Sequence, residues 1–231
     1  MKVRLNKFLA GAGIASRRAV DELIRAGKVA IDGRRAHLGD RVDPDAQRIT
    51  LNGRRVRPAA AADQITLVLN KPLNVITTLH DEHARRSVAD YLPVNQRLFP
   101  VGRLDAETTG VLLCTTDGEL ARFLMHPSSG VEKEYEIVAR GSMSEQSARL
   151  LRAHDVKRLS EGSLKFSMLL TEGQNRQVRR MCAQQGLKVV HLTRTRFGPV
   201  RLGRLLPGAT RALHDDERRE LEQLRANAAN E

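Results

Sequence analysis

Arg103 and Asp105 stand two residues apart in FPVGRLDAETTGVLLCTTD, residues 99–117. If this segment is extended, that spacing puts both side chains on one face and Leu104 on the other. A carboxylate beside a guanidinium stays ionised and is held in place, which is what an aimed catalytic carboxylate requires. The same spacing also describes a surface ion pair at a strand end, and spacing alone does not choose between them. A second chemistry-bearing group lies in TEGQNRQVRRMCAQQG, where a helix would carry Arg176, Arg179 and Arg180 as a basic stripe and Val178, Met181 and Cys182 as an apolar one. Tyr135, in the alternating run VEKEYEIVA, is one of only two tyrosines. A lone tyrosine on a strand is more often a core residue whose hydroxyl finds one partner. Glu107 and Asp117 are rival carboxylates, the first in a turn where exposure is the default and the second beside a helix start.

Periodicity supplies the elements that must position these groups. Thr108, Thr109 and Gly110 read as a turn and residues 111–114 as a buried strand. Upstream, ITLVLNKP reads as a strand stopped by Pro72, NVITTL as its extended continuation, residues 86–92 as a short helix and residues 97–101 as a strand. Downstream, Thr116 and Glu119 form a capping box for the helix DGELARFLMHP. Residues 144–154 are expected to be helical with Leu150 and Leu151 inward, and residues 164–170 to be a strand. Asn175 caps a helix that Gly186 stops, KVVHLTRTRFGPV alternates as a strand, and a charged helix begins at Asp215 and frays after Ala226.

The N-terminal part is organised differently. Leu5, Phe8 and Leu9 share one face of a short helix ending at Gly11 and Gly13, and Ser16 caps a second helix that Gly27 stops. On a helical wheel Ala19, Val20, Leu23 and Ile24 fall together, with Arg17, Arg18, Arg25 and Lys28 opposite. Four cations in one sector, with Lys7 nearby, suit contact with a phosphate backbone. Asp32-Gly33 and Asn52-Gly53 are hairpin signals between short alternating runs.

Charge sharpens this division. The formal net charge is +12, and residues 1–62 hold 14 Lys or Arg against 6 Asp or Glu, leaving 25 against 21 for the other 169 residues. A basic module beside a balanced body points to a polyanion partner. No apolar run is long enough to span a membrane, the first residues are too interrupted by charge for a leader, and a cytoplasmic protein is expected. Cys114 and Cys182 lack C-x-x-C spacing and read as reduced structural thiols. Only His80 and His83 lie close together among seven histidines, so no metal site is expected.

GRLDAETTG resembles the signature of the pseudouridine synthases, in particular the branch that modifies ribosomal RNA at single sites. LNKP, EKEY and EGQNRQVRRM resemble further motifs of that family in the same order. RLNKFLAGAGIASRRAVDELIRAGKVAIDGRRA is similar to the S4-like RNA-binding domain named after a small-subunit ribosomal protein. The resemblance implies that Asp105 is the catalytic carboxylate, that Tyr135 packs against the target uracil, and that Arg179 ion-pairs with Asp105, with Arg180 and Arg176 as the alternatives for that role. Arg103, Arg176 and Arg180 would bind substrate. It implies no cofactor and no metal, because the isomerisation gains no atoms. The fold it implies is α+β: an RNA-binding domain at 1–57, a linker at 58–64, and at 65–231 a mainly antiparallel mixed sheet with flanking helices. The expected partner is ribosomal RNA met by a monomer, large-subunit RNA first, with a synthase of small-subunit RNA, which shares the architecture, as the alternative. Among synthases acting on large-subunit RNA, TTDGELARFLMHPSSGVEKEY looks most like the B type and NRQVRRMC like the F type. A noncatalytic RNA-binding assembly factor is the alternative from another class. A methyltransferase is rejected for want of a glycine-rich turn after a strand.

Overall fold

Two hairpins with turns at Asp32-Gly33 and Asn52-Gly53 organise the N-terminal unit. All four turn residues take positive φ, between 49° and 83°, as tight two-residue connections demand. The computed structural model describes residues 2–58, 64–93 and 97–228. Its contacts divide it into one unit of residues 1–65 with 116–118 and a second holding the remainder. Of the expected linker, residues 59–63 lie outside the described residues.

The first unit runs β1 (Val3–Arg4), α1 (Leu5–Gly11), α2 (Arg17–Arg25), β2 (Val29–Ile31), β3 (Arg34–Arg35), β4 (Arg41–Val42), β5 (Ile49–Leu51) and β6 (Arg54–Arg55). The Ser16 hydroxyl accepts the Ala19 amide at 3.0 Å and so starts α2. Strands β3-β2-β5-β6 form one sheet and β1 pairs with β4. Leu5, Leu9, Val20, Ile24, Val29 and Ile49 close the core between helices and sheet, each contributing roughly 1.5–3 kcal/mol by leaving water. Ala19, expected on the apolar side of α2, is exposed.

The second unit comprises β7 (Thr66–Lys71), β8 (Phe99–Pro100), β9 (Thr109–Thr115), α3 (Gly118–Met125), β10 (Lys133–Arg140), α4 (Glu145–Leu151), β11 (Ala153–Ser160), β12 (Ser163–Leu170), α5 (Gln177–Gln184), β13 (Lys188–Phe197), β14 (Val200–Arg201), β15 (Thr210–Ala212) and α6 (Asp215–Asn227). One nine-stranded sheet has the order β11-β12-β10-β13-β9-β7-β15, with β14 on β13 and β8 on β9. All its pairings are antiparallel except β13 with β9. The expected α+β class and mainly antiparallel mixed sheet are what the chain forms. Val111, Leu112, Leu113 and Cys114 of β9 are fully buried, the mark of a strand covered on both faces. At Gly110 (φ +103°) β13 passes so close that a Cβ would lie 2.2 Å from the Arg194 carbonyl oxygen, so this crossing requires glycine.

Several local expectations change. Thr109 and Gly110 already belong to β9 rather than to a turn, and residues 97–101 contract to the two residues of β8. NVITTL forms only a single bridge, Ile76 with Ser87, because Pro72 has turned the chain out of the sheet. The expected helix at 86–92 is one 3₁₀ turn, Val88–Tyr91. The helix after β9 begins at Gly118, and the Thr116 hydroxyl serves the Ile65 amide at 2.9 Å. Leu150 is exposed while Leu151 is buried, and the fully described strand β11 was not anticipated. The residue before α5 is Arg176 in a left-handed conformation (φ 49°), not Asn175. The Gln177 side chain accepts the Gln174 amide at 3.0 Å, closing a turn that fixes Arg176 there.

Candidate active site

Asp105 lies on the short connection between β8 and β9, and both its backbone neighbours are pinned. The Thr77 hydroxyl donates to the Leu104 carbonyl at 2.7 Å and accepts the Leu104 amide at 3.2 Å. The Ala106 carbonyl accepts the Asn74 amide at 2.8 Å. Beneath it the Lys71 ammonium, fully buried at the end of β7, donates to the carbonyls of Val75 (2.6 Å), Pro72 (2.7 Å) and Ala106 (3.4 Å). Burial pushes the Lys71 ammonium down to about 8, opposed by the charge of Asp105. The Thr108 amide returns to the Asp105 carbonyl at 3.0 Å, completing a turn that fixes the direction of the carboxylate.

The arginines gather around this turn from the start of α5. Arg176 Nη1 lies 4.0 Å from Asp105 Oδ2, and its Nη2 donates to Glu107 Oε2 at 3.0 Å. Arg179, largely buried, donates from Nη2 to the Glu107 carbonyl at 2.9 Å. Among the described residues the ion pair to Asp105 is therefore made by Arg176, whereas the expected partner Arg179 holds Glu107, two residues on, by its carbonyl and by an ion pair of 3.6 Å to its carboxylate. Arg103 is exposed, Leu104 buried and Asp105 half-buried; the stretch forms no strand, and all three line one cleft rather than alternating between two faces. Arg180 turns to the Gln174 side chain at 3.0 Å. Glu107 is held below the usual carboxylate range, first by its hydrogen bond to Arg176 and then by the charges of Arg176 and Arg179.

A cleft of about 590 Å³ opens over this turn, and Arg103, Asp105, Tyr135 and Arg176 all line it. Glu107, Arg179 and Arg180 do not. Tyr135 is buried on the inward face of β10, with Lys133 two residues before it and Arg194 opposite it on β13. Lys133 and Arg194 are buried and also line the cleft. A larger groove of about 1150 Å³ lies near α6, lined by Arg201, Arg204, Arg211 and Glu217 among others. It gathers none of the expected site residues, whereas Arg103, Asp105, Tyr135 and Arg176 line the smaller cleft.

Sequence reasoning did not single out Lys71, Lys133, Arg194, Thr77 or the bridging role of Glu107. The signal for Lys71 was present: a lysine inside an otherwise apolar strand and followed by proline must bury its stem. In the first unit Lys7, Arg17, Arg18, Arg25 and Lys28 are all exposed. Arg25 pairs with Glu22, and Arg17 reaches Asn6 Oδ1 at 3.4 Å. Both cysteines are free and buried, which pushes their thiols up to about 12 for Cys114 and about 11 for Cys182. Among the described residues no group of three His, Cys, Asp or Glu could hold a metal, and no helix is long and apolar enough to cross a membrane.

Comparison with known proteins follows the same division of the chain. A family model described as RNA pseudouridylate synthase matches residues 65–184, and one described as S4 domain matches residues 3–47. The ribosomal large subunit pseudouridine synthase B of Vibrio cholerae is 41% identical, the alignment covering 90% of this chain and 70% of that protein. The dual-specificity RNA pseudouridine synthase RluF of Escherichia coli is 34% identical across 99% of this chain and 81% of its own. A solved structure described as a pseudouridylate synthase superposes with a TM-score of 0.62 at 26% identity, covering 95% of this chain and 99% of the other.

Proposed function

The chain belongs to the RNA pseudouridylate synthase family, and from that premise we propose that it converts a specific uridine of large-subunit ribosomal RNA to pseudouridine, with Asp105 as the catalytic carboxylate. The observation that carries the assignment of Asp105 is its setting. It is the carboxylate of the pinned turn that faces the cleft, where Glu107 is turned away and neutralised by two arginines. Large-subunit RNA is favoured by the 41% identity to a protein named for acting there.

Isomerisation breaks the bond from ribose C1′ to uracil N1, turns the base and rejoins it through C5. Asp105 either attacks C1′ or takes the C2′ proton. A carboxylate whose flanking peptides are already fixed loses little freedom in doing so. Arg176 supplies a facing positive charge 4.0 Å from the carboxylate, and Arg179 holds the turn that aims it. Tyr135 supplies an aromatic face for the extruded uracil, and Arg103 at the mouth of the cleft suits a flanking phosphate. Arg180, outside the cleft, meets the RNA backbone beside it.

The basic N-terminal module, residues 1–57, holds the RNA through Lys7, Arg17, Arg18, Arg25 and Lys28, and residues 58–64 link it to the catalytic domain at 65–231. The protein acts as a cytoplasmic monomer on this reading. Its test is to incubate unmodified large- and small-subunit ribosomal RNA separately with the protein and map pseudouridine by carbodiimide-dependent primer-extension stops. One new stop in the large-subunit RNA is expected. A stop only in small-subunit RNA would move the substrate, and none in either would remove the activity.

A further inference from the structure

Among the described residues, three buried cations without a carboxylate in ion-pair contact lie under or in the cleft: Lys71 supports the Asp105 turn, while Lys133 and Arg194 line the cleft itself. Lys133 is 8% exposed and Arg194 3%. Among the described residues the Lys133 ammonium donates to the carbonyls of Val131 (2.8 Å) and Thr171 (2.9 Å) alone. Arg194 Nε donates to the Val111 carbonyl at 2.7 Å, while its Nη2 is buried without any partner. They flank one ring: Lys133 Nζ lies 5.3 Å and the Arg194 guanidinium carbon 4.8 Å from the centre of Phe197. Two like charges held together out of water are costly when only carbonyl dipoles and a ring face compensate them. Their mutual cost is visible in Lys133, pushed down to about 8 by burial first and by the Arg194 charge second.

Their position says what could compensate them. Tyr135 pairs directly with Arg194 across β10 and β13, and Lys133 pairs with Phe197 one step along the same inward face. Cross-strand neighbours stand about 5 Å apart at Cα and alternate residues of a strand about 7 Å. A base resting on Tyr135 is therefore immediately above both cations. Building on the reading of the preceding section, we infer that Lys133 and Arg194 form a cationic floor that stabilises the negative charge acquired by the uracil when it detaches from the ribose.

The electron balance requires such a group whichever route Asp105 takes. If the carboxylate attacks C1′, a carbon–oxygen bond forms and the C1′–N1 pair leaves with the base. If it takes the C2′ proton, a C1′–C2′ double bond forms and the same pair leaves on N1. In both cases the detached base is an anion with its charge shared among N1, O2, O4 and C5. It regains neutrality as C5 bonds C1′, the carboxylate leaving C1′ on the first route, or the double bond closing and the proton returning from Asp105 to C2′ on the second; C5 then loses its proton and N1 takes one up. Preorganised positive charge aimed at that anion in a dry site favours the bond-breaking step over substrate binding. Both residues act here by field, through the base resting above them.

The discriminating experiment uses the leaving ability of the base. RNA carrying either uridine or 5-fluorouridine at the mapped position is given to the full-length protein, and single-turnover loss of the substrate nucleoside is followed. Fluorine withdraws electrons and stabilises the detached anion by itself, so it should substitute for a missing cation. Lys133→Met and Arg194→Met should each slow uridine cleavage about 100-fold, 5-fluorouridine cleavage no more than about tenfold, and leave RNA affinity within about twofold. Arg194→Lys, which keeps the charge, should recover about tenfold of the loss with uridine and guards against a mere packing defect. Equal slowing of both bases, or equal loss in Arg194→Lys and Arg194→Met, would overturn the inference while an active wild type leaves the proposed function standing. A wild type that cleaves neither base would overturn both.

Discussion

The two units use the same residue types under opposite physical conditions. In the first, Arg17, Arg18, Arg25 and Lys28 stand in water on and beside one helix. In the second, Lys71, Lys133 and Arg194 are buried against backbone carbonyls around the Asp105 cleft. Exposed cations act by releasing counterions from a phosphate chain, a weak and adjustable attraction that salt screens. Buried cations are already desolvated and fixed, so their field is strong, directional and little affected by salt. A protein that must hold a long polyanion and also act on one base within it gains from keeping these regimes in separate places.

Substitutions within the arginine cluster should break the contrast most visibly. Arg179 is largely buried and fixes the turn, whereas Arg176 is 46% exposed at its side chain. Arg179→Met should lower the single-turnover rate by about 100-fold through misplacement of Asp105. Arg176→Met should lower it only by about tenfold, because an exposed pair is screened. Equal losses would mean that Arg176 holds the carboxylate as firmly as Arg179 holds the turn. Neutralising Arg17, Arg18 and Arg25 together to Gln should instead leave that rate alone and weaken RNA binding. The slope of log affinity against log salt should shrink by about 2, from three contacts at about 0.7 each on single-stranded RNA. An unchanged slope would remove α2 from the RNA surface.

The smallest expected effect concerns stability. Lys71 and Lys133 are each pushed from 10.5 down to about 8, so the unfolded chain binds more protons than the folded one between those values. Stability contributed through them therefore rises as pH climbs from about 8 toward 10.5. Chemical denaturation at pH 8, 9 and 10 should show this rise in the wild type and its loss in Lys71→Met combined with Lys133→Met. A rise of the same size in the double variant would show that other groups cause it.

What could be read from the sequence follows from where each signal originates. Helix α2, both hairpins, β9, β10 and α5 announce themselves through periodicity, caps and turn residues, all local properties. Strand β11 does not, because nearly all its residues are exposed and leave no alternation to read. Which of the three candidate arginines meets Asp105 was equally hidden. Arg176 reaches it only because the Gln174–Gln177 turn forces a left-handed residue before α5, which side-chain spacing cannot reveal. Burial of Lys71, Lys133 and Arg194 depends on pairings between strands far apart in the chain. A sequence scan assigns charged residues to the surface by default.

Whether Asp105 carries an isomerisation at uracil C5 can be measured on ribosomal RNA transcribed with tritium at that carbon. Wild type should release label in proportion to enzyme until one uridine per large-subunit RNA has reacted. Asp105→Asn, which keeps the shape and hydrogen bonds of the turn, should bind the RNA equally well and release less than about one per cent as fast. Label release by Asp105→Asn above that level would contradict the account, for it would mean that another group performs the chemistry.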